Sequence, residues 1–201
     1  MKPDLKLLQQ NLEHHGFAYS YFDTAAEATD YLVSHLSGKT IGIGGSMTIK
    51  DMGLAPRLKE HNTVYWHWDE NAAPDTGIRA ANAQVYLSSV NAISETGEII
   101  NIDGTGNRVS ATMSAKEAVY FLVGVNKIAP NFDKALWRAR NIAAPLNARR
   151  LKVKTPCVSM EQKCYDCKSP QRICRGLTVL WRNMRNVQHS EVILIGEDLG
   201  Y

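Results

Sequence analysis

Outside residues 157–174 the chain has no cysteine, and nowhere has it a run near the roughly 20 apolar residues that span a bilayer or a block of like charge. Each absence removes a class of protein. Cysteines confined to one short segment cannot staple a fold of 201 residues, so in a reducing compartment metal or redox chemistry is expected of them instead of structural disulfides. The opening MKPDLKLLQQ lacks the apolar run of a signal peptide, and the cytoplasm is the expected location. With 23 basic and 20 acidic residues interspersed to a net +3, the composition calls for neither nucleic acid nor a membrane as partner. Internal repeats, low-complexity tracts and H-E-x-x-H are missing, as are G-x-G-x-x-G and the Walker A pattern, so flavin and nicotinamide have no fingerprint here.

What is present suits one α/β domain over residues 1–201, with 155–176 as an excursion that could bind metal. Apolar residues make up 44% of the chain, enough for a real core. Leu5, Leu8 and Leu12 predict an amphipathic helix ended by Gly16, followed by a strand over 17–22. Thr24 with Glu27 three residues on is a capping box for a helix over 25–36. Strands are predicted over 39–43, 63–68, 85–89, 120–125 and 191–196, and a pair around Gly97. Helices are predicted over 49–59 and 131–140, continuing to Arg150, with a helix closing over 116–120. Uninterrupted apolar strands alternating with helices predict a mostly parallel sheet with helices on both faces.

Three constellations could carry chemistry. Gly44, Gly45, Ser46 and Thr48 follow a short strand and precede a helix, where glycines admit close approach and hydroxyls and free amides can receive phosphate or carboxylate oxygens; the alternative is a tight turn serving only packing. The polar series 88–108, with Asn126 and Lys127, sits beside apolar strands, where unpaired amides are costly, and so is expected at strand ends. There Glu95 could act as base or nucleophile and Asp103 as acid, base or metal ligand, with Asn91, Asn107, Arg108, Asn126 and Lys127 binding an anionic ligand. The bland alternative makes Asn107 and Asp103 turn residues and leaves Glu95 in solvent. The third is Cys157, Cys164, Cys167 and Cys174, spaced C-x6-C-x2-C-x6-C. Two thiolates of a C-x2-C pair can share one ion and the flanking pair complete the set, giving a zinc clasp or an iron–sulfur centre; packed thiols or a reversible disulfide are the alternative. His67 reads as an ordinary strand histidine, Trp137 and Trp181 as core anchors, and Arg149–Lys154 as a solvated basic surface.

The ordered set GIGGSMT at 42–48, SSVNAISETGEIINIDGTGNR at 88–108, VGVNKI at 123–128, RNIAAPLNARR at 140–150, the four cysteines and the ending VILIGEDLGY resembles the LUD domain, or lactate-utilisation, family over nearly the whole chain. The resemblance implies kinship in fold with sugar-phosphate isomerases and CoA transferases, and an anion-binding role for Gly44, Gly45, Ser46 and Thr48. It implies a small carboxylate or phosphorylated ligand and an accessory part, with a redox protein partner, in oxidation of lactate or another organic acid. An isomerase or acyl-CoA-transfer enzyme using Glu95, and a noncatalytic metal or redox module, are the alternatives.

Overall fold

The computed structural model describes residues 2–201. Its centre is the strand β7 (Lys116–Gly124), whose run of apolar side chains is buried on both faces. Tyr120 and Leu122 point to one side of the sheet and Val119, Phe121 and Val123 to the other, the period-two alternation of extended chain. Around it lie β1 (Ala18–Phe22), β2 (Thr40–Ile43), β3 (Thr63–Trp66), β4 (Val85–Ser88) and β10 (Val187–Ile195), in the order β1-β10-β7-β4-β2-β3. All five pairings are parallel. The last strand of the chain is thus inserted between the first and the seventh.

One face is covered by α2 (Ala25–His35), α3 (Met47–Asp51) and α4 (Leu54–Leu58), which bury Ala28, Leu32, Leu54 and Leu58 against Ile41, Ile43, Leu122 and Ile193. The Thr24–Glu27 capping box starts α2 as expected. The helix predicted over 49–59 is two pieces, because Gly53 takes φ +61 and breaks it. The residues 116–120, predicted to close a helix, are the first half of β7; the Glu117 and Ala118 amides bond Gln84 O, and the strand pairs with both β4 and β10.

The other face carries a helix, as expected, together with a second sheet that was not expected. It is covered by α1 (Leu5–His14) and by a second sheet, β8-β5-β6-β9, built from β5 (Ala92–Ser94), β6 (Ile99–Asp103), β8 (Ile128–Ala129) and β9 (Gly176–Leu180). Its β5–β6 and β6–β9 pairs are antiparallel. Ile93 and Ile99 pack on the main sheet, while Ala92 and Ile100 pack on α7 (Phe132–Arg138) and the π-helical turn Ala139–Ala143 that leads into α8 (Ala144–Arg150). This small sheet is apolar on both sides, so its strands carry the same short apolar runs as the main sheet. α5 (Thr76–Ala81), α6 (Asn107–Ala111) and the single turn α9 (Pro156–Ser159) complete the fold. No helix among the described residues is long and apolar enough to cross a membrane.

Candidate functional site

In the main sheet the chain leaves β2 outward toward β3 and leaves β4 inward toward β7. The crevice at the carboxyl ends of these two neighbours is a topological switch point, where open α/β sheets receive ligands. A cleft of about 650 Å3 lies there. Its floor is Gly45 after β2 and Asn91 after β4; one wall is His67 and Trp68 after β3, and another is the loop that ends β6. Ala144, Asn147 and Arg150, spaced three apart on one face of α8, form a third wall with Gln171, Arg172 and Arg175 from the cysteine segment.

The loop DGTGNR at 103–108 is held by one carboxylate. Asp103 Oδ1 accepts the amides of Thr105 at 3.1 Å and Gly106 at 3.2 Å, and Oδ2 accepts the Arg108 amide at 3.1 Å. Burial opposes ionisation of Asp103, but the Arg108 charge and these three amides outweigh it and hold the carboxyl below its usual range. Arg108 Nη2 donates to Ile102 O at 2.5 Å and reaches Asn91 Oδ1 at 3.5 Å, while its buried Nε has no hydrogen-bond partner. Asn91 Oδ1 also accepts the Ile102 amide at 2.6 Å, so Asn91 ties β4 to β6 as well as facing the cleft. Opposite, the Arg150 guanidinium lies 4.9 Å from the Trp68 ring centre, a cation–π contact that places a charge at the mouth. Four arginines (Arg108, Arg150, Arg172 and Arg175) thus line the cleft, and Asp103 is the only acid among the lining residues.

A second polar cluster lies at the same edge of the sheet but outside the cleft. Lys127 Nζ is buried and donates to Thr48 Oγ1 at 2.8 Å and Ser89 Oγ at 2.9 Å. Burial, with help from Arg138 and Arg108, pushes its pKa down to about 7. The residues after β10 close over it. Thr48 Oγ1 donates to Leu199 O at 3.3 Å, Asn126 Oδ1 accepts the Leu199 amide at 3.3 Å, and Gly200 lies so near that a Cβ there would be 2.6 Å from Thr48 Oγ1.

Of the residues expected from sequence to meet a ligand, Gly45, Asn91, Asp103, Asn107 and Arg108 are brought together in the cleft. Ser46, Thr48, Asn126 and Lys127 are not among its lining. Ser46 Oγ instead accepts the Ile49 amide and caps α3. Gly44 packs on Tyr86: a Cβ would lie 2.8 Å from its hydroxyl. Glu95 stands apart on the β5–β6 turn, where Oε1 accepts the Asp4 amide at 3.0 Å and its carbonyl accepts from Asn11 at 2.7 Å, so its carboxylate serves the entry to α1. His67 and Arg150, read from sequence as ordinary strand and solvated surface, line the cleft, as do Trp68 and Asn147. Asn147 and Arg150 share a helix face at i, i+3, a signal present in the sequence. The four cysteines border a cavity of their own behind this wall. Among the described residues no three His, Cys, Asp or Glu side chains are grouped so as to hold a metal ion.

The LUD domain family model matches residues 5–195. The crystal structure of a DUF162 family protein from Deinococcus radiodurans superposes with a TM-score of 0.58 at 16% identity, covering 96% of each chain, a likeness of fold. No curated protein matches the chain in sequence.

Proposed function

The chain belongs to the LUD domain family, and from that premise we propose that its cleft binds a small organic anion, a carboxylate or phosphorylated metabolite, in the service of lactate or other organic-acid oxidation. The observation that carries this reading is the convergence of Arg108, Arg150, Arg172 and Arg175 on one cleft whose single acid, Asp103, is already bound by three amides of its own loop. Guanidinium groups present paired donors that match carboxylate and phosphate oxygens. The position at the switch point, beside loops from β2, β3 and β4, is where such folds hold small ligands.

The acyl-transfer or isomerase alternative rests on Glu95, whose carboxylate is engaged at the start of α1 and does not line the cleft. Anion binding therefore leads. A redox protein partner would take or supply the electrons of an oxidation, since no nicotinamide or flavin motif marks this chain.

Calorimetric titration with lactate, pyruvate and inorganic phosphate, against glycerol as a neutral control, tests the reading. Saturable binding of at least one anion, weakened in the Arg150→Gln/Arg175→Gln double variant, is expected. Absence of binding by all three, or binding unchanged in the double variant, overturns it.

A further inference from the structure

The chain has no long unbroken run of like charge, yet charge divides unequally along it. Residues 134–185 hold thirteen of the 23 basic side chains and two of the 20 acidic ones, a net +11, which leaves −8 for the rest. Eleven of the thirteen are exposed, so the charge faces solvent. Both acids are already engaged within the segment: Glu161 pairs with Lys163 at 2.6 Å, and Asp166 with Arg172 at 3.1 Å and with Arg140 at 3.7 Å. A field of one sign over one part of a molecule draws in partners of the opposite sign and speeds their arrival.

The same segment carries exposed apolar groups. Trp137 and Trp181, expected from sequence as core anchors, are each more than half exposed, as is Leu177. Leu177 and Val179 share one side of β9, and Val179 packs with Leu136 of α7 on the same apolar cluster. Beside them lies a groove of about 230 Å3. Ile102, Leu136, Ala144 and Leu177 are its apolar walls and Arg140, Arg172 and Arg175 stand around them, with no acid among the lining residues. Among the described residues β9 pairs with β6 alone, so its outer edge has no strand. Apolar contact area ringed by arginines, with aromatic side chains close by in the chain, is the composition of protein interfaces, and an open strand edge can take up an extended segment.

Other occupants fit less well. A copy related by a two-fold axis would set +11 against +11. Nucleic acid would match the charge but leave Leu136, Leu177 and the strand edge without a use, since its backbone is bound through charge and its bases through aromatic stacking. A bilayer takes up apolar groups that project from a surface and does not fill a groove. We propose that the groove between α7 and β9 docks a partner protein by an apolar side chain carried on an acidic segment, with the surrounding basic face guiding its approach. Ile102, Ala144, Arg172 and Arg175 line both this groove and the anion cleft, so the docked partner stands at the lip of the cleft. Arg140 and Leu177 line the groove and not the cleft, so docking and small-anion binding succeed or fail separately.

Surface plasmon resonance on the full chain, at about 0.15 M salt, compares poly(Glu,Tyr), an acidic copolymer with aromatic side chains, with polyglutamate, oligothymidylate and phosphatidylserine vesicles. The copolymer is expected to bind about tenfold more tightly than polyglutamate. Leu177→Ser and Arg140→Glu, both at exposed positions, are each expected to remove most of that preference while keeping the parent's melting temperature. Lys6→Glu, the same change of charge on the exposed side of α1, is expected to leave it intact. Equal binding of the two polymers by the unaltered chain, or an equal loss in Lys6→Glu, overturns the proposal. Tighter binding of oligothymidylate or of vesicles overturns it in favour of nucleic acid or membrane. Self-association in sedimentation that Leu177→Ser abolishes overturns it in favour of a second copy of the chain.

Discussion

Lys127 Nζ lies 2.8 Å from Thr48 Oγ1, 79 positions away in the chain, and Gly200 sits on both, where a Cβ would be 3.3 Å from the lysine nitrogen. Four strand ends are locked together at this point: the start of α3 after β2, Ser89 after β4, the 3-10 turn after β7 and the tail after β10. The lysine has two hydroxyls and no carboxylate within hydrogen-bonding distance, which is why its charge is poorly supported.

A pH dependence follows for the unaltered protein. The Lys127 pKa of about 7 in the folded chain lies below its usual 10.5, so between these values the unfolded chain binds more protons and stability rises with pH. Below about 7 both states are charged and the penalty is constant. Urea unfolding at about pH 7 and about pH 9 is expected to show this rise, and Lys127→Met to reduce it; an equal slope in the variant would remove Lys127 as its source.

Gly200 has φ +61, a conformation that costs an L side chain roughly 1–2 kcal/mol before the clash with Thr48 is counted. Gly200→Ala is expected to lift the tail, readmit water to Lys127 and return its pKa toward the ordinary range. The pH profile of Lys127 acylation, read by mass spectrometry, measures this; a profile unchanged from the parent chain would show that the tail does not seal the site.

Asp103→Asn removes the charge that gathers the Thr105, Gly106 and Arg108 amides. Loss of about 1–3 kcal/mol in stability at neutral pH is expected, with weaker anion binding as the loop loosens. Because the folded pKa is depressed, the parent chain holds this stabilisation above about 3.9 and loses it as pH falls through the lower folded value. Thermal unfolding of the two proteins should therefore differ at neutral pH and converge in acid.

At Gly45 a Cβ would lie 3.2 Å from Trp68 Cζ2 and 3.3 Å from His67 Nε2, inside the cleft and clear of the core. Gly45→Val is expected to weaken anion affinity about tenfold, equivalent to about 1.4 kcal/mol, with a melting temperature close to that of the parent. Equal affinity in the folded variant would move the ligand elsewhere.

Much of the framework was legible because it rests on local chemistry. Thr24 and Glu27 cap α2, Asn131 caps α7, and the apolar runs of β7 and β10 demanded burial on both faces. The grouping of Asn91, Asp103, Asn107 and Arg108 was also readable, since strand ends and a DG-containing loop collect polar residues. The place of Glu95 outside the cleft was not readable, because a carboxylate beside a turn glycine looks free and only the tertiary position of Asp4 and Asn11 shows what it contacts. The same holds for Ser46 and Thr48, whose hydroxyls bond α3 and the distant tail, contacts that the local sequence does not display. Arg150 was hidden because a basic run reads as solvated surface until the helix face carrying Asn147 is known to border a cleft.

The insertion of β10 between β1 and β7 governs the order in which the chain can assemble. Ala18 to Phe22 find their partners only at Glu191 to Ile195, so during synthesis β1 has no strand to join until residue 195 has emerged. Until then β7 offers an open, apolar edge, the kind of template that other chains can join. Contacts this remote in sequence slow folding. The nascent protein therefore carries this unpaired β7 edge until residues 187–195 have been made.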